Sequence, residues 1–429
     1  MEKFFELKKN NTDVKTEFIA GLTTFMTMAY ILIVNPSILA AAGMDKGAVF
    51  TATALSAIIA TLIMGLYAKL PFAQAPGMGL NAFFAYTIVL QMGYSFEFAL
   101  TAVLLEGIIF ILLTIFNVRE AIVDSIPTSI KNAISVGIGL FISLIGLEGA
   151  GIIVHKNGGT IVSLGNIISG PGLLAIIGLL ITSVLIAKNI KGALFIGMVV
   201  TAIIGIPMGI TPLPSSILSM PPSIAPTMFK FEFHNIFSID MLIALFTLLF
   251  MDMFDTIGTL VGVATKAKML DENGKVPRIK KALFADAVGT TIGACLGTST
   301  VSTFVESASG VAEGGRTGLT AVSTAFMFFL ALFFAPLFTA ITPAVTASAL
   351  ILVGLFMIEP IREIDLHDFT EAIPAFLTII MMPFSYSISD GIVFGVISYI
   401  VLKVFTGKWK DISLTTVILG VIFLLKFAI

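Results

Sequence analysis

Ala75-Pro-Gly-Met-Gly-Leu-Asn81 and Thr300-Val-Ser-Thr-Phe-Val-Glu306 decide the fold of this chain, and they stand 225 positions apart. The same offset carries Phe25-Met-Thr-Met28 onto Phe250-Met-Asp-Met253 and Asn81 onto Glu306. Each stretch interrupts an apolar segment. Pro76 removes a backbone donor, and Gly77 and Gly79 weaken a helix further. Residues 297–306 are β-branched and polar, which favours a strand. A short helical run follows each, so both read as an extended segment leading into a half-helix. Interrupted apolar segments at matching places in two halves are the signature of a transporter built on an internal repeat.

The composition around them belongs to a membrane protein. Of 429 residues, 57% are hydrophobic and 12% charged, with a mean hydropathy of +1.05; a soluble domain carries about 25% charged residues. The net charge of −2 offers no broad basic face for nucleic acid. A lone cysteine, Cys295, excludes an intramolecular disulfide and a multi-cysteine metal site, and reads as packing filler. None of the histidines (155, 234, 367) lies deep in a span, which argues against haem ligation there. The opening 16 residues mix acids and lysines, and the apolar run after them is too long for a signal core, so they read as a cytoplasmic lead-in.

A spanning helix needs roughly 20 apolar residues. Candidate spans are 17–41, 47–69, 76–92, 96–117, 128–149, 171–188, 192–209, 236–263, 280–297, 301–314, 317–340, 344–359, 369–386 and 388–406: fourteen, seven per half. With the N-terminus inside, the even loops hold Lys69, Arg119, Lys188, Lys191, the cluster from Lys266 to Lys281, Arg316, Arg362, Lys403, Lys408 and Lys410. The odd loops hold Lys46, Lys156 and Lys230. That bias places the even loops in the cytoplasm. An odd number of spans per half makes the repeat inverted. The stretch 414–429 is apolar enough for one more helix, spanning or interfacial.

Charges inside spans are few: Glu106, Asp252, Asp255, Asp286 and Glu306, with no Lys or Arg placed as deep. Each is expensive, about 2.5–3.5 kcal/mol at a helix centre, and is therefore a candidate for substrate or proton binding. Asp252 and Asp255 lie three apart on one helical face, continued by Thr256 and Thr259; a capped helix break is the structural alternative. Glu306 opens the second half-helix, where a carboxylate complements the dipole, so a plain cap is its alternative. Asn81, its counterpart, is neutral and both donates and accepts. An Asn and a Glu facing one another suit a neutral heterocycle better than a bare anion. Glu106 and Asp286 read equally well as bonds between facing helices. Tyr30 and Phe254 are placed to stack on a planar ring, with apolar packing as the plainer reading.

These residues carry a resemblance. Ala75-Pro-Gly-Met-Gly-Leu-Asn-Ala-Phe-Phe-Ala-Tyr86, Phe250-Met-Asp-Met-Phe-Asp-Thr-Ile-Gly-Thr-Leu260, Thr298-Ser-Thr-Val-Ser-Thr-Phe-Val-Glu-Ser-Ala-Ser-Gly310 and the opening Phe18-Ile-Ala-Gly-Leu-Thr-Thr-Phe-Met-Thr-Met-Ala-Tyr-Ile31 resemble the AzgA-like purine permeases. This is the hypoxanthine/guanine/adenine branch of the nucleobase–cation symporters, and the likeness runs from about Phe4 to Lys408. It implies an all-α polytopic membrane protein with the uracil-permease fold: fourteen transmembrane segments as 7+7 inverted repeats, with two half-helices preceded by extended segments. The domains would be a lead-in (1–16), core (17–117 and 236–340), gate (118–209 and 341–406), external connection (210–235) and tail (407–429). The resemblance further implies import of a purine by proton symport across the cell membrane, with no cofactor or metal, and a homodimer through the gate domains. The purine would be held by Asn81, Asp252 and Glu306 with backbone N–H groups near Leu80 and Val305. Asp255 would take the proton, with Thr256, Thr259, Phe254 and Tyr30 in support. The ascorbate/xanthine/uracil branch carries Glu-Asn-x-Gly where this chain has Glu306-Ser-Ala-Ser-Gly310, which makes its substrates a second choice. An anion exchanger on the same scaffold calls for a basic residue at Glu306. An intramembrane aspartyl protease calls for aspartates from two facing helices, whereas Asp252 and Asp255 share one.

Overall fold

The computed structural model describes residues 2–116, 127–155, 162–266, 268–270, 276–413, 416–417 and 420–421. Arg119, Lys156, Lys275 and most of the stretch 414–429 lie outside the described residues, as does the side chain of Lys266.

In the first half, helices α1 (Val14–Met28), α2 (Ile31–Ala41) and α3 (Lys46–Ile63) lead to strand β1 (Gln74–Pro76) and the short helix α4 (Met78–Ala82), which continues as a π-helical stretch over Phe83–Gln91. Helices α5 (Phe96–Ile115), α6 (Thr128–Gly149), α7 (Gly170–Ala187) and α8 (Ala193–Gly205) complete it. The second half runs through α9 (Ile239–Lys266), α10 (Ile279–Leu296), strand β2 (Val301–Thr303), α11 (Ser307–Ala312), α12 (Gly318–Ala331), α13 (Pro343–Met357), α14 (Phe369–Phe384) and α15 (Ile388–Phe405). Among the described residues nine helices are long and apolar enough to cross a membrane, and three shorter apolar ones accompany them.

The first expected span is broken. Val34 and Ile33 both donate to the Tyr30 carbonyl, and Leu32 to that of Ala29, so the chain turns at Ala29–Tyr30 before α2 resumes. Pro36, inside α2, brings no backbone donor of its own. The turn swings Tyr30 inward, where it is 1% exposed and can reach the second half.

The two polar breaks do form strands, and they pair with each other. β1 and β2 run antiparallel with Gln74 opposite Thr303, Ala75 opposite Ser302 and Pro76 opposite Val301. The ladder extends outward through Gly77 N–H to the Thr300 carbonyl and Phe304 N–H to that of Ala73, each 3.0 Å. Extended backbone at this depth leaves no group orphaned only where protein satisfies it. The flanking helices supply the rest: Thr61 Oγ1 bridges the Gln74 N–H and carbonyl, and Thr290 Oγ1 does the same for Val301. The last pair in the register, Pro76 and Val301, is the one separated by the repeat offset of 225, which locates the pseudo-two-fold there.

The helices pack in two groups. α6 lies along α13 and α14, α14 along α15, and α7 and α8 along each other and along α13. Separately, α10 lies along α5 and α3, and α12 along α1 and α3, enclosing the strand pair. α9 joins the second group through α5, β2 and α11 and touches α6 of the first.

Candidate functional site

The strand crossing gathers nearly all the polar residues that the sequence marks. Gly77, between β1 and α4, lies against β2: a Cβ there would lie 2.7 Å from Ser302 Oγ, with Asp255 Oδ2 of α9 at 3.5 Å. Only glycine lets Ser302 approach this break so closely. Asp255 lies beside Ser302 and is surrounded by protein, yet the residue is exposed. It therefore lines a cleft. The cleft wall continues along α9 through Gly258 and Gly262, where a Cβ would meet nothing within 4 Å. Val305, just before α11, is 51% exposed, and Glu306 is half-buried.

Glu306 lies just before α11. Its Oε1 accepts from the Tyr30 hydroxyl at 2.6 Å, and its backbone carbonyl accepts from Thr27 at 3.4 Å. Asp255 and Glu306 are within electrostatic reach of each other. Asn81 sits one turn into α4, fully buried; Ser299 Oγ donates to its Oδ1, and its Nδ2 donor has no hydrogen-bond partner among the described residues. The structure thus joins Glu306 to Tyr30 and Asp255, and Asn81 to Ser299, without a bond between Asn81 and Glu306. Leu80 is buried, and Thr259 and Phe254 are half-buried.

Asp252 takes a different direction. It is fully buried and turned to α10: Thr256 Oγ1 lies 3.1 Å from Asp252 Oδ1 and 2.8 Å from Asp286 Oδ1. Gln74 Nε2 reaches Thr303 Oγ1 at 3.2 Å and Asp286 Oδ1 at 3.5 Å, which ties this cluster to the back of the strand pair. Glu106 belongs to the crossing too, as its Oε2 accepts from Thr300 Oγ1 at 2.5 Å. Ser299, Ser302 and Gln74 are partners that the sequence reading passed over. Period-two alternation through residues 297–306 was the available signal, since Ser302 and Thr303 serve opposite faces of β2.

Lys131 lies closer to the site than the sequence reading allowed. It stands in the first turn of α6, its Nζ 5.6 Å from the centroid of the Phe254 ring. At the other end of the crossing the two helix groups meet through rings: Tyr86 lies 6.3 Å from Phe141 and 6.0 Å from Tyr386, which is itself 5.3 Å from Phe141. Gly79 packs on α6 between these contacts, with a Cβ there 2.9 Å from Ile138 Cγ2. Free space thus borders α9 at Gly258 and Gly262, whereas rings fill the contact between the helix groups at Tyr86. Among the described residues no group of three His, Cys, Asp or Glu is arranged to hold a metal ion.

Comparison with known proteins agrees with this layout. The model of a permease family (Xan_ur_permease) matches residues 15–394. The guanine/hypoxanthine permease of Bacillus subtilis (strain 168) is 48% identical over 438 residues, which take in 100% of this chain and 99% of that protein. The adenine permease of Escherichia coli (strain K12) is 43% identical over 426 residues, 99% of this chain and 96% of the other. The solved transmembrane domain of a cyanobacterial bicarbonate transporter superposes with a TM-score of 0.65, covering 88% of this chain and 97% of that one, at 17% identity. The last likeness is one of fold, and it is the uracil-permease-like transporter fold expected from the sequence.

Proposed function

The chain belongs to the permease family, and on that premise we propose that it imports purine nucleobases by proton symport, guanine and hypoxanthine first and adenine possible as a further substrate. It is a multi-pass membrane transporter and not an enzyme. The observation that carries the substrate reading is the pairing of two carboxylates, exposed Asp255 and half-buried Glu306, within electrostatic reach of each other beside two helix starts. Guanine presents adjacent N–H donors on one edge and acceptors on the other. Carboxylates accept from the first edge, and the N–H groups that open α4 near Leu80, with the Val305 N–H ahead of α11, donate to the second; the first N–H groups of α11 itself are taken by the Phe304, Val305 and Glu306 carbonyls. Asn81 Nδ2 is a further donor in want of an acceptor. Two acids in the cleft disfavour an anion as cargo, whatever the fold's relatives carry.

The geometry favours an exchange of roles between the aspartates. Asp255 faces the cleft and suits substrate; Asp252 is closed off from it and suits the proton. Thr256 has one hydroxyl hydrogen and sits within bonding distance of a carboxylate oxygen on each side. It can donate to one; the other contact is favourable when that carboxyl itself carries a proton. We therefore assign the coupling proton to the Asp252–Thr256–Asp286 cluster, linked to the cleft through Gln74 and the strand pair. Transport then follows from movement of the α6/α7/α8/α13–α15 group against the rest, opening the cleft alternately to either end. A cytoplasmic N-terminus, a place in the cell membrane and a homodimer through the α6–α8 and α13–α15 group complete the reading.

Proteoliposomes test it. Wild type should accumulate labelled guanine in response to an imposed proton gradient. Asp255→Asn should weaken guanine binding at least tenfold. Asp252→Asn and Asp286→Asn should keep guanine exchange and lose gradient-driven accumulation. If Asp255→Asn binds normally and loses coupling instead, the roles are the reverse of those assigned here.

A further inference from the structure

At the end of the molecule bearing the N-terminus, a pocket of about 270 Å³ just beyond α9 is lined by four basic residues, Lys69, Lys268, Arg278 and Arg316, with Glu6 and Asn10 from the lead-in. Four separate parts of the chain meet there: the lead-in, the turn after α3, the connection from α9 to α10, and the link from α11 to α12. Membrane orientation requires Lys and Arg at this end, but it does not require them to converge.

The backbone marks the place. Glu6, Lys69, Lys268 and Arg278 have φ of 54°, 56°, 52° and 59°, and they are four of the eight non-glycine residues with positive φ among the described residues. Side chains other than glycine, Asn and Asp seldom adopt that conformation. Here it turns all four toward one space. The cations are held in place largely by neutral groups. Arg316 Nη1 donates to the Val311 and Gly315 carbonyls at 2.6 and 2.8 Å, Arg278 Nη1 to that of Ala68 at 3.5 Å, and Lys69 Nζ stands 4.7 Å from the centroid of the Phe4 ring. Among the described residues Glu6 is the one carboxylate in the lining. It bonds Lys9 at 3.3 Å and approaches Arg278 Nη2 only to 3.8 Å. Its carboxyl is held below the usual range by Lys9 first, with Arg278 and Lys69 adding to the field. Among the described residues, one acid shared with Lys9 stands against four cations in this lining.

We infer that this pocket is a phosphate-binding site, filled either by the headgroup of an anionic lipid or by a soluble phosphate ester, with Glu6 holding the place of the anion in the empty state. Two guanidinium forks and two ammonium groups match the charge and acceptor geometry of a phosphate. An occupant would tie the lead-in to the connection that leaves α9, the helix that carries Asp255. The inference stands apart from the purine reading.

Thermal unfolding of the purified full chain tests it. Inorganic phosphate and UMP, whose pyrimidine keeps it away from a purine site, serve as soluble probes in neutral-lipid nanodiscs; phosphatidylglycerol against phosphatidylcholine nanodiscs give the lipid arm. A rise in unfolding temperature with the soluble probes, beyond that from chloride at equal ionic strength, assigns a soluble ester; a rise with phosphatidylglycerol alone assigns a lipid. In either arm Lys69→Gln/Arg278→Gln should weaken the response at least tenfold, and Glu6→Gln should strengthen it severalfold. Guanine stabilisation should be unchanged in both, which also shows that the variants fold. No response to either phosphate source, or a response that both variants share with wild type, overturns the site. If wild type responds to phosphate but not to guanine, the purine reading fails and the pocket stands.

Discussion

One phenol fixes how Glu306 meets the cleft. The Tyr30 hydroxyl donates to Oε1 at 2.6 Å; in the proposed complex the other oxygen would meet the purine. A hydrogen bond to a charged group contributes about 1.5–3 kcal/mol. Tyr30→Phe should therefore weaken guanine binding by about tenfold or more, since about 1.4 kcal/mol is a factor of ten. Equilibrium binding to the purified protein checks this, and unchanged affinity would show that Glu306 is held by something else. The break at Ala29 that delivers Tyr30 was not legible in the apolar run from 17 to 41. The different directions of Asp252 and Asp255 were not legible either. Three residues advance a helix by 300°, so the two side chains diverge by about 60°. That angle is enough to put one in the cleft and the other against α10, and sequence spacing alone does not say which.

Among the elements, the strand pair was the most legible. Pro76 with its glycines, and the β-branched run before Glu306, excluded helix on local grounds, and β1 and β2 formed where those grounds placed them. The arithmetic of the repeat holds at the strands and slips at the helices. Pro76 and Val301 are 225 apart, but α4 begins at Met78 and α11 at Ser307, which is 229. Asn81 is thus inside its helix while Glu306 stands before its own. A second element-scale feature concerns α12. Glu17, fully buried on α1, accepts from the backbone N–H groups of Arg316, Thr317 and Thr320 at 2.9, 3.3 and 3.0 Å and from Thr320 Oγ1 at 2.6 Å. It caps one helix from the side chain of another. Glu17→Ala leaves several buried donors without an acceptor, each worth about 1–3 kcal/mol. It should lower the unfolding temperature markedly, whereas Glu17→Gln, which keeps an acceptor, should lower it less. Equal behaviour of the two variants would deny the cap.

At the scale of the whole molecule the free space is uneven. Gly258 and Gly262 border open space, while Tyr86, Phe141 and Tyr386 fill the contact between the helix groups. A large side chain at Gly258 fits this arrangement and obstructs any that brings α9 against the facing helices. Gly258→Phe should retain the unfolding temperature and guanine binding of wild type and transport at least tenfold more slowly, measured as labelled guanine uptake into proteoliposomes. Normal uptake would mean that α9 keeps its distance throughout the cycle. The charge bias and segment count suggested this architecture, but no feature of the sequence revealed where the free space lies, because that depends on packing between helices far apart in the chain.

The ring-filled contact has an electrical meaning. Water that enters past Gly262 carries the potential of its own compartment up to the strand crossing, so a transmembrane voltage falls mainly across the ring-filled layer beyond it. If transport proceeds as proposed and the seal changes ends, the voltage drop would change ends as well, and a proton lodged at the crossing would pass from one potential to the other without travelling far through the protein. One charge moved across 100 mV gains about 2.3 kcal/mol, which for a neutral cargo corresponds to roughly fiftyfold accumulation. On the proposed mechanism, the three aromatic side chains of Tyr86, Phe141 and Tyr386 would be the thin insulator across which the cell's electrical energy is converted into a concentration of cargo.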